Sequence, residues 1–275
     1  MRQLLLRFGE WLGGLAWVLG IRRAVTLDGL RRAFPALSVR ERKKIGRASY
    51  LQLGRSIAEI LLPMRDEELA RAVRFDPWEL LHPGPGPEGV VAAVVHFGNF
   101  ELEARAAARR GLKLTIIART LRDVFGRWLV ADRARTGVGQ IGDRGSTGAA
   151  LAVLRRGEVL GVAIDQNMRA SRGIFVDFFG DKACTTPAAA ILALRTGARL
   201  VAVFPVRQPD GTYVVKVRGP FTTRLSGHAA VVDLTEQLTR AVEDEIRLHP
   251  DHWFWVHRRW KTRPPDTQFG PRAGE

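Results

Sequence analysis

VVAAVVHFGNFELEAR, Val90 to Arg105, is the stretch on which the fold turns. Val90 to Val95 is an apolar, valine-rich run of strand length, and glycines stand on either side at Gly89 and Gly98. Were His96 and Glu101 in one continuous helix, their five-residue separation would set them roughly 140° apart at about 100° per residue. A single helix therefore cannot pair them. A strand through Val95, a turn at Gly98 and a helix capped by Asn99 can, because the strand-end imidazole then meets a first-turn carboxylate beside the open amides of the helix start. A carboxylate on one ring nitrogen fixes the tautomer and leaves the other nitrogen to take a proton from an alcohol. The same residues also suit a plain strand-to-helix junction with no chemistry.

Outward from this stretch, strand-like and helix-like segments alternate. ELEARAAARRG, LTIIAR, FGRWLVADRAR, TGAALAVLRRG, VLGVAID, a helix after Thr186-Pro187 and RLVAVFPV follow one another, which implies an α/β domain with a mixed central sheet flanked by helices. Upstream, HPGPGPEG (His82 to Gly89) is a turn-rich loop. Before it, Thr26 to Ala72 keeps apolar residues three and four apart, and Ser38 with Glu41 three residues on spells a capping box. The chain divides on this basis into a helical, membrane-proximal segment, 1–81, and an α/β core, 82–275, within one continuous domain.

The N-terminus, MRQLLLRFGEWLGGLAWVLGIRR, has its longest uncharged run from Trp11 to Ile21, eleven residues. A spanning helix needs about 20, and the small-residue cleavage site of a signal peptide is absent. Leu4, Leu5, Phe8, Trp11, Leu12 and Leu15 recur at helical spacing beside Arg2, Arg7, Arg22 and Arg23, the pattern of a helix lying in a membrane interface. The alternative is a first helix packed on its own domain.

The chain has 275 residues and a formal net charge of +15, so its partners are expected to be anionic: nucleic acid, phospholipid headgroups or a phosphorylated substrate. Cys184, the only cysteine, excludes an internal disulfide and a multi-cysteine zinc site. Gly137 to Gly142 spells GxGxxG but follows a helical rather than a strand pattern, and Gly54-Arg-Ser56-Ile-Ala58 lies inside a helical pattern, so neither reads as its motif. His249, His252 and His257 lack carboxylate or cysteine company, and no metal site is expected. Tryptophans 253, 255 and 260 among His257, Arg258, Arg259 and Lys261 suit a segment reaching a lipid headgroup layer better than a nucleic-acid platform, and no nucleic acid is expected.

HFGNFE resembles the H-x4-D/E motif of the lysophospholipid acyltransferase superfamily, and in particular its bacterial lipid A biosynthesis branch, the lauroyl and myristoyl acyltransferases. LRRAFPALSVRERKKI, IDQNMRASRGIFVDFFG (Ile164 to Gly180), Thr185-Thr186, VAVFPVRQPDG and WFWVHRRWKTRP resemble that branch in the same order over nearly the whole length. Asp177 departs from it, standing where proline is expected before Phe178-Phe179.

The resemblance implies transfer of a fatty acyl chain from an acyl-carrier-protein or coenzyme A thioester to a hydroxyl of an anionic glycolipid, a lipid A precursor, with no cofactor. A phosphatidylinositol mannoside-type acyltransferase is the alternative, with a thioesterase or a non-catalytic lipid carrier behind it. Carried over by position, His96 is the general base and Glu101 its orienting partner. Asn99, Arg119 and the third block's Asp165, Gln166 and Asn167 are expected at the substrate, with Arg169 and Arg172 helping Arg119 to hold acceptor phosphates. The implied location is the cytoplasmic face of the inner membrane, with peripheral or monotopic attachment.

Overall fold

The computed structural model describes residues 1–62, 64–83, 88–119, 123–143 and 145–265. Four helices, α1 (Arg2–Val18), α2 (Arg23–Ala33), α3 (Val39–Leu61) and α4 (Asp66–Ala72), precede β1 (Val73–Asp76). The core continues with β2 (Val90–Val94), α5 (Phe100–Arg109), β3 (Leu114–Ile117), α6 (Val124–Arg135), β4 (Gly139–Ile141), α7 (Thr147–Arg155) and β5 (Val159–Ala163). A hairpin of β6 (Ile174–Phe178) and β7 (Asp181–Thr185) leads to α8 (Ala188–Thr196), β8 (Arg199–Arg207), β9 (Tyr213–Arg218) and α9 (Gly227–Leu248).

Among the described residues, seven strands form one mixed sheet in the order β1-β9-β8-β2-β5-β3-β4. Every neighbouring pair is parallel except β8–β9. This is the α/β class expected from the alternation. The central strands are apolar on both faces because both faces are covered. Val91, Ala93, Val95, Leu160 and Val162 pack with α7, α8 and α9, whereas Val90, Ala92, Leu114 and Val159 pack with α5. The segment expected to be helical through residue 81 departs from that expectation at β1, which pairs with β9 at the sheet edge. Val73 and Phe75, buried alternately with exposed Arg74 and Asp76, carry a period of two that fits a strand better than a helix.

The capping box at α3 is formed: Ser38 Oγ accepts from the Glu41 amide at 3.2 Å, and Glu41 Oε2 accepts from the Ser38 amide at 2.7 Å. α1 lies against α3 through glycines. A Cβ at Gly13 would stand 2.0 Å from the Tyr50 carbonyl oxygen, and one at Gly54 would stand 2.1 Å from that of Gly9, so a larger residue would push the helices apart. α1 buries Leu6, Gly9 and Trp17 on this side. Its other side leaves Leu4, Leu5, Phe8, Trp11, Leu12 and Leu15 exposed. Both sequence readings of the first helix thus describe part of it. Among the described residues no single helix is long and apolar enough to cross a membrane; α1 and α2 meet that test only as a pair bent by 87°.

Candidate active site

His96 lies two residues beyond β2 and Asp165 two beyond β5. The register pairs Val94 with Ala163, and the Ile164 amide donates to the Val94 carbonyl at 3.0 Å, so the two side chains leave adjacent carboxyl ends of parallel strands. That edge of an open α/β sheet is where such folds place ligands. Gly98, at φ 53°, then turns the chain into α5; a Cβ there would lie 1.9 Å from the Pro205 carbonyl oxygen.

Asp165 grips His96 twice. Its Oδ1 is 2.8 Å from His96 Nδ1, and its Oδ2 accepts from the His96 backbone amide at 2.9 Å. Trp253 Nε1 donates to the same Oδ2 at 2.9 Å. Burial pulls the imidazole pKa down, but the charge and hydrogen bond of Asp165, with the charge of Glu101, raise it on balance above its ordinary value. Asp165 itself is held below the usual carboxylate range, because the His96 and Trp253 contacts outweigh its own burial. With Nδ1 carrying the proton toward Asp165, Nε2 keeps its lone pair and accepts from the Gln166 amide at 3.1 Å.

Glu101 does not take the place expected for it. Its carboxylate is 3% exposed and bound by both ends of the Arg133 guanidinium from α6, with Nε to Oε2 at 3.0 Å and NH2 to Oε1 closer still. Arg133 also donates to Gln140 Oε1 at 2.7 Å. Two physical reasons explain the difference. A buried guanidinium requires a paired carboxylate, and the β2–β5 register already places Asp165 on Nδ1. The His96–Glu101 pairing therefore gives way to His96–Asp165, with Glu101 acting on the imidazole through its charge alone.

Asn99 caps α5 as expected, its Oδ1 accepting from the Leu102 amide at 3.1 Å. It does not line the cavity described below. It is 1% exposed, and its Nδ2 donates to Glu59 Oε2 at 2.9 Å, within a buried cluster that also holds Arg207 and the Tyr213 hydroxyl. Asn167 likewise orders its loop: its amide donates to His257 Nε2 at 2.8 Å, and its side chain pairs with Thr262. Arg169 and Arg172 are exposed on the turn between β5 and β6 and do not line the cavity described next; Arg119 is exposed at its mouth. The tryptophans expected at a headgroup layer are core residues, Trp253, Trp255 and Trp260 being buried against Phe178 and one another. Their block fastens the site, since the Phe254 amide donates to the His96 carbonyl at 3.0 Å and the Gly98 amide to that of His252 at 2.8 Å. Asp177, the departure before the Phe-Phe-Gly turn, pairs with Lys182 across the hairpin at 2.9 Å.

Below His96 a cavity of about 400 Å³ runs between α5, α6 and the sheet. Its walls are mainly apolar, with Ala92, Val94, Ile116 and Gly161 from the strands and Leu81 and Leu112 beside them, and Glu101, Glu103 and Arg133 also line it. Phe100, Ala104 and Ala107 face it from α5. This size suits a small-molecule site, and the largely apolar lining that includes His96 suits an alkyl chain with its reactive end at the imidazole.

Three contributors escaped the sequence reading. Arg133 gives no local signal, and Trp253, which reads locally as a headgroup residue, gives none for its bond to Asp165, because their partners lie 32 and 88 positions away. Glu103 did give one: at positions 100, 103, 104 and 107 it is the lone acid on a stripe that is otherwise apolar.

Residues 2–262 match the family model described as bacterial lipid A biosynthesis acyltransferase. A lipid A biosynthesis lauroyltransferase of Escherichia coli (strain K12) is 28% identical over 267 residues, 94% of this chain and 85% of its own. A lipid A biosynthesis palmitoleoyltransferase of the same strain is 26% identical over 88% of this chain and 80% of its own. Among solved structures, the 1-acyl-sn-glycerophosphate (LPA) acyltransferase of Thermotoga maritima aligns over 90% of this chain and 98% of its own, at 14% identity and a TM-score of 0.40.

Proposed function

The chain belongs to the bacterial lipid A biosynthesis acyltransferase family and is an acyltransferase, and from that premise we propose that it moves a fatty acyl chain from a carrier-protein or coenzyme A thioester onto a hydroxyl of an anionic, lipid A-type glycolipid. One observation carries the reading: an imidazole locked by a buried aspartate lines a largely apolar cavity.

In this mechanism the acyl chain lies in the cavity with its thioester carbonyl at the mouth. The acceptor hydroxyl displaces Gln166 from His96 Nε2, gives its proton to that nitrogen, and attacks the carbonyl carbon. The tetrahedral intermediate collapses with cleavage of the carbon–sulfur bond, and His96 returns the proton to the leaving thiolate. Asp165 keeps the ring in the Nδ1–H tautomer and stabilises the imidazolium that forms. The amino-terminal end of α5 points its positive dipole toward the region where negative charge develops. Arg119 at the mouth, aided by Arg169 and Arg172 on the neighbouring turn, receives acceptor phosphate.

The acceptor arrives from a membrane surface in this reading. α1 and α3 leave an apolar groove of about 470 Å³ lined by Leu5, Phe8, Leu12, Ile57 and Leu61, and it reaches Phe254, whose ring centroid is 6.0 Å from that of His96. A helix pair anchored in the interface would hold the mouth at headgroup height, with attachment peripheral or monotopic on the cytoplasmic face of the inner membrane.

The test is reconstitution: purified protein, acyl-carrier-protein and coenzyme A thioesters of several chain lengths, and a panel of glycolipid acceptors that includes a lipid A precursor, in mixed micelles, read by mass spectrometry. The expected product is the acceptor plus one acyl group. An acceptor of unchanged mass with every donor, while thioester is consumed, would identify a thioesterase instead.

A further inference from the structure

The cavity that receives the acyl chain in the reading above is lined mainly by apolar side chains, and its polar lining includes the Glu101–Arg133 ion pair, which satisfies itself, and Glu103. Glu103 stands on the cavity-facing stripe of α5 with Phe100, Ala104 and Ala107. Phe100 lies against His96, their ring centroids 5.1 Å apart. Three residues on, at about 1.5 Å per residue, Glu103 is about 4.5 Å deeper along the helix axis. The residue is 8% exposed, and its Oε2 is buried with no hydrogen-bond partner among the described residues. Arg105, two residues on, is committed to Asp132, and Arg133, which lines the same cavity, to Glu101. Burial, reinforced by the neighbouring charge of Glu101, pushes the Glu103 carboxyl up to about 8, so at neutral pH it is a neutral acid with a proton to donate and an oxygen to accept.

An unsatisfied carboxylic acid in a largely apolar cavity is costly unless a ligand completes it. An unsubstituted chain leaves it orphaned; a chain carrying a hydroxyl does not. Resting on the reading of this cavity as the acyl-chain seat, we propose that Glu103 is a specificity residue that hydrogen-bonds a hydroxyl borne by the acyl chain near its carboxyl end, making a hydroxylated fatty acyl group the preferred donor.

The experiment needs no acceptor. A fluorescent fatty acid bound to the purified full-length protein is displaced by saturated fatty acids and by monohydroxylated counterparts of equal length, with the hydroxyl walked outward from the carboxyl end. Wild-type protein is expected to bind one hydroxylated isomer roughly 10- to 100-fold more tightly than the plain acid. Glu103→Leu is expected to abolish or reverse that ratio, and Glu103→Gln, which still donates and accepts, to keep most of it. The wild-type series stands without the variants: plain acids binding at least as tightly as every hydroxylated isomer would overturn the inference, and so would an undiminished ratio in Glu103→Leu. Ala104→Leu separates the two levels. If it shortens the preferred chain while no hydroxyl preference exists, only the role of Glu103 falls. If it changes neither length nor affinity, chains lie elsewhere and both readings fall together.

Discussion

Asp165 Oδ1 lies 2.8 Å from His96 Nδ1, although 69 positions separate the two residues. A carboxylate in that place sets the direction in which His96 exchanges protons. Asp165→Asn retains the shape but removes the charge, and it can hold the ring in the wrong tautomer. Acyl transfer is expected to fall by roughly 10²- to 10⁴-fold, with a folded protein by circular dichroism.

The same pair sets the pH profile. The base works as neutral imidazole, and its pKa is raised above the ordinary value, so kcat/KM should rise with pH to a plateau reached above about 6.5. Asp165→Asn removes the largest raising influence, and the acid limb should move to lower pH. A limb that stays in place in the variant would detach Asp165 from the titrating group.

Glu101 makes the opposite kind of contribution. Glu101→Gln leaves the buried Arg133 guanidinium unpaired, which typically costs about 3–5 kcal/mol. A clear fall in Tm is expected, with partial recovery in the double variant Glu101→Gln/Arg133→Met. Unchanged stability in the single variant, measured by thermal denaturation, would mean that the ion pair does not hold α6 to α5.

Glu103 predicts a stability difference that depends on pH. Its pKa is raised in the folded state, so its favourable contribution is complete below the unfolded value near 4.5 and is lost as pH climbs to about 8. The loss runs at about 1.4 kcal/mol per pH unit within that window. Glu103→Gln should therefore match wild type near pH 5 and exceed it in Tm near pH 9. Parallel Tm curves for the two proteins across this range would show that Glu103 ionises freely.

The exposed face of α1 offers a test of membrane docking. Phe8 and Trp11 stack at 5.7 Å and are 54% and 58% exposed. Replacing both by aspartate should weaken sedimentation with anionic phospholipid vesicles by roughly tenfold or more, since burying each such side chain is worth about 1.5–3 kcal/mol. Wild-type protein should leave native membranes under high-salt or carbonate washing. Retention through both washes, with release only by detergent, would indicate integral insertion.

Local pattern sufficed for much of this protein. The apolar run before His96, the break at Gly98, the Asn99 cap and the Ser38–Glu41 box are written within a few residues of one another, and each forms as read because its energetics are local. The family resemblance drew attention to Asp165 and Gln166 as well as His96. Which carboxylate meets the imidazole was not legible in the same way. Sequence proximity favoured Glu101, five residues from His96, but the parallel register of β2 and β5 brings Asp165 to Nδ1, and a distant arginine on α6 claims Glu101. The tryptophan-rich segment 253–260 is ambiguous in sequence for a related reason: a tryptophan beside basic residues has the same composition at a lipid interface and in a core. Only the fold, by placing Trp253 on Asp165 and Trp260 on Phe178, decides which side of the surface it occupies. Short-range propensities and caps thus determined the elements, and long-range strand register and the need to pair buried charge decided the site.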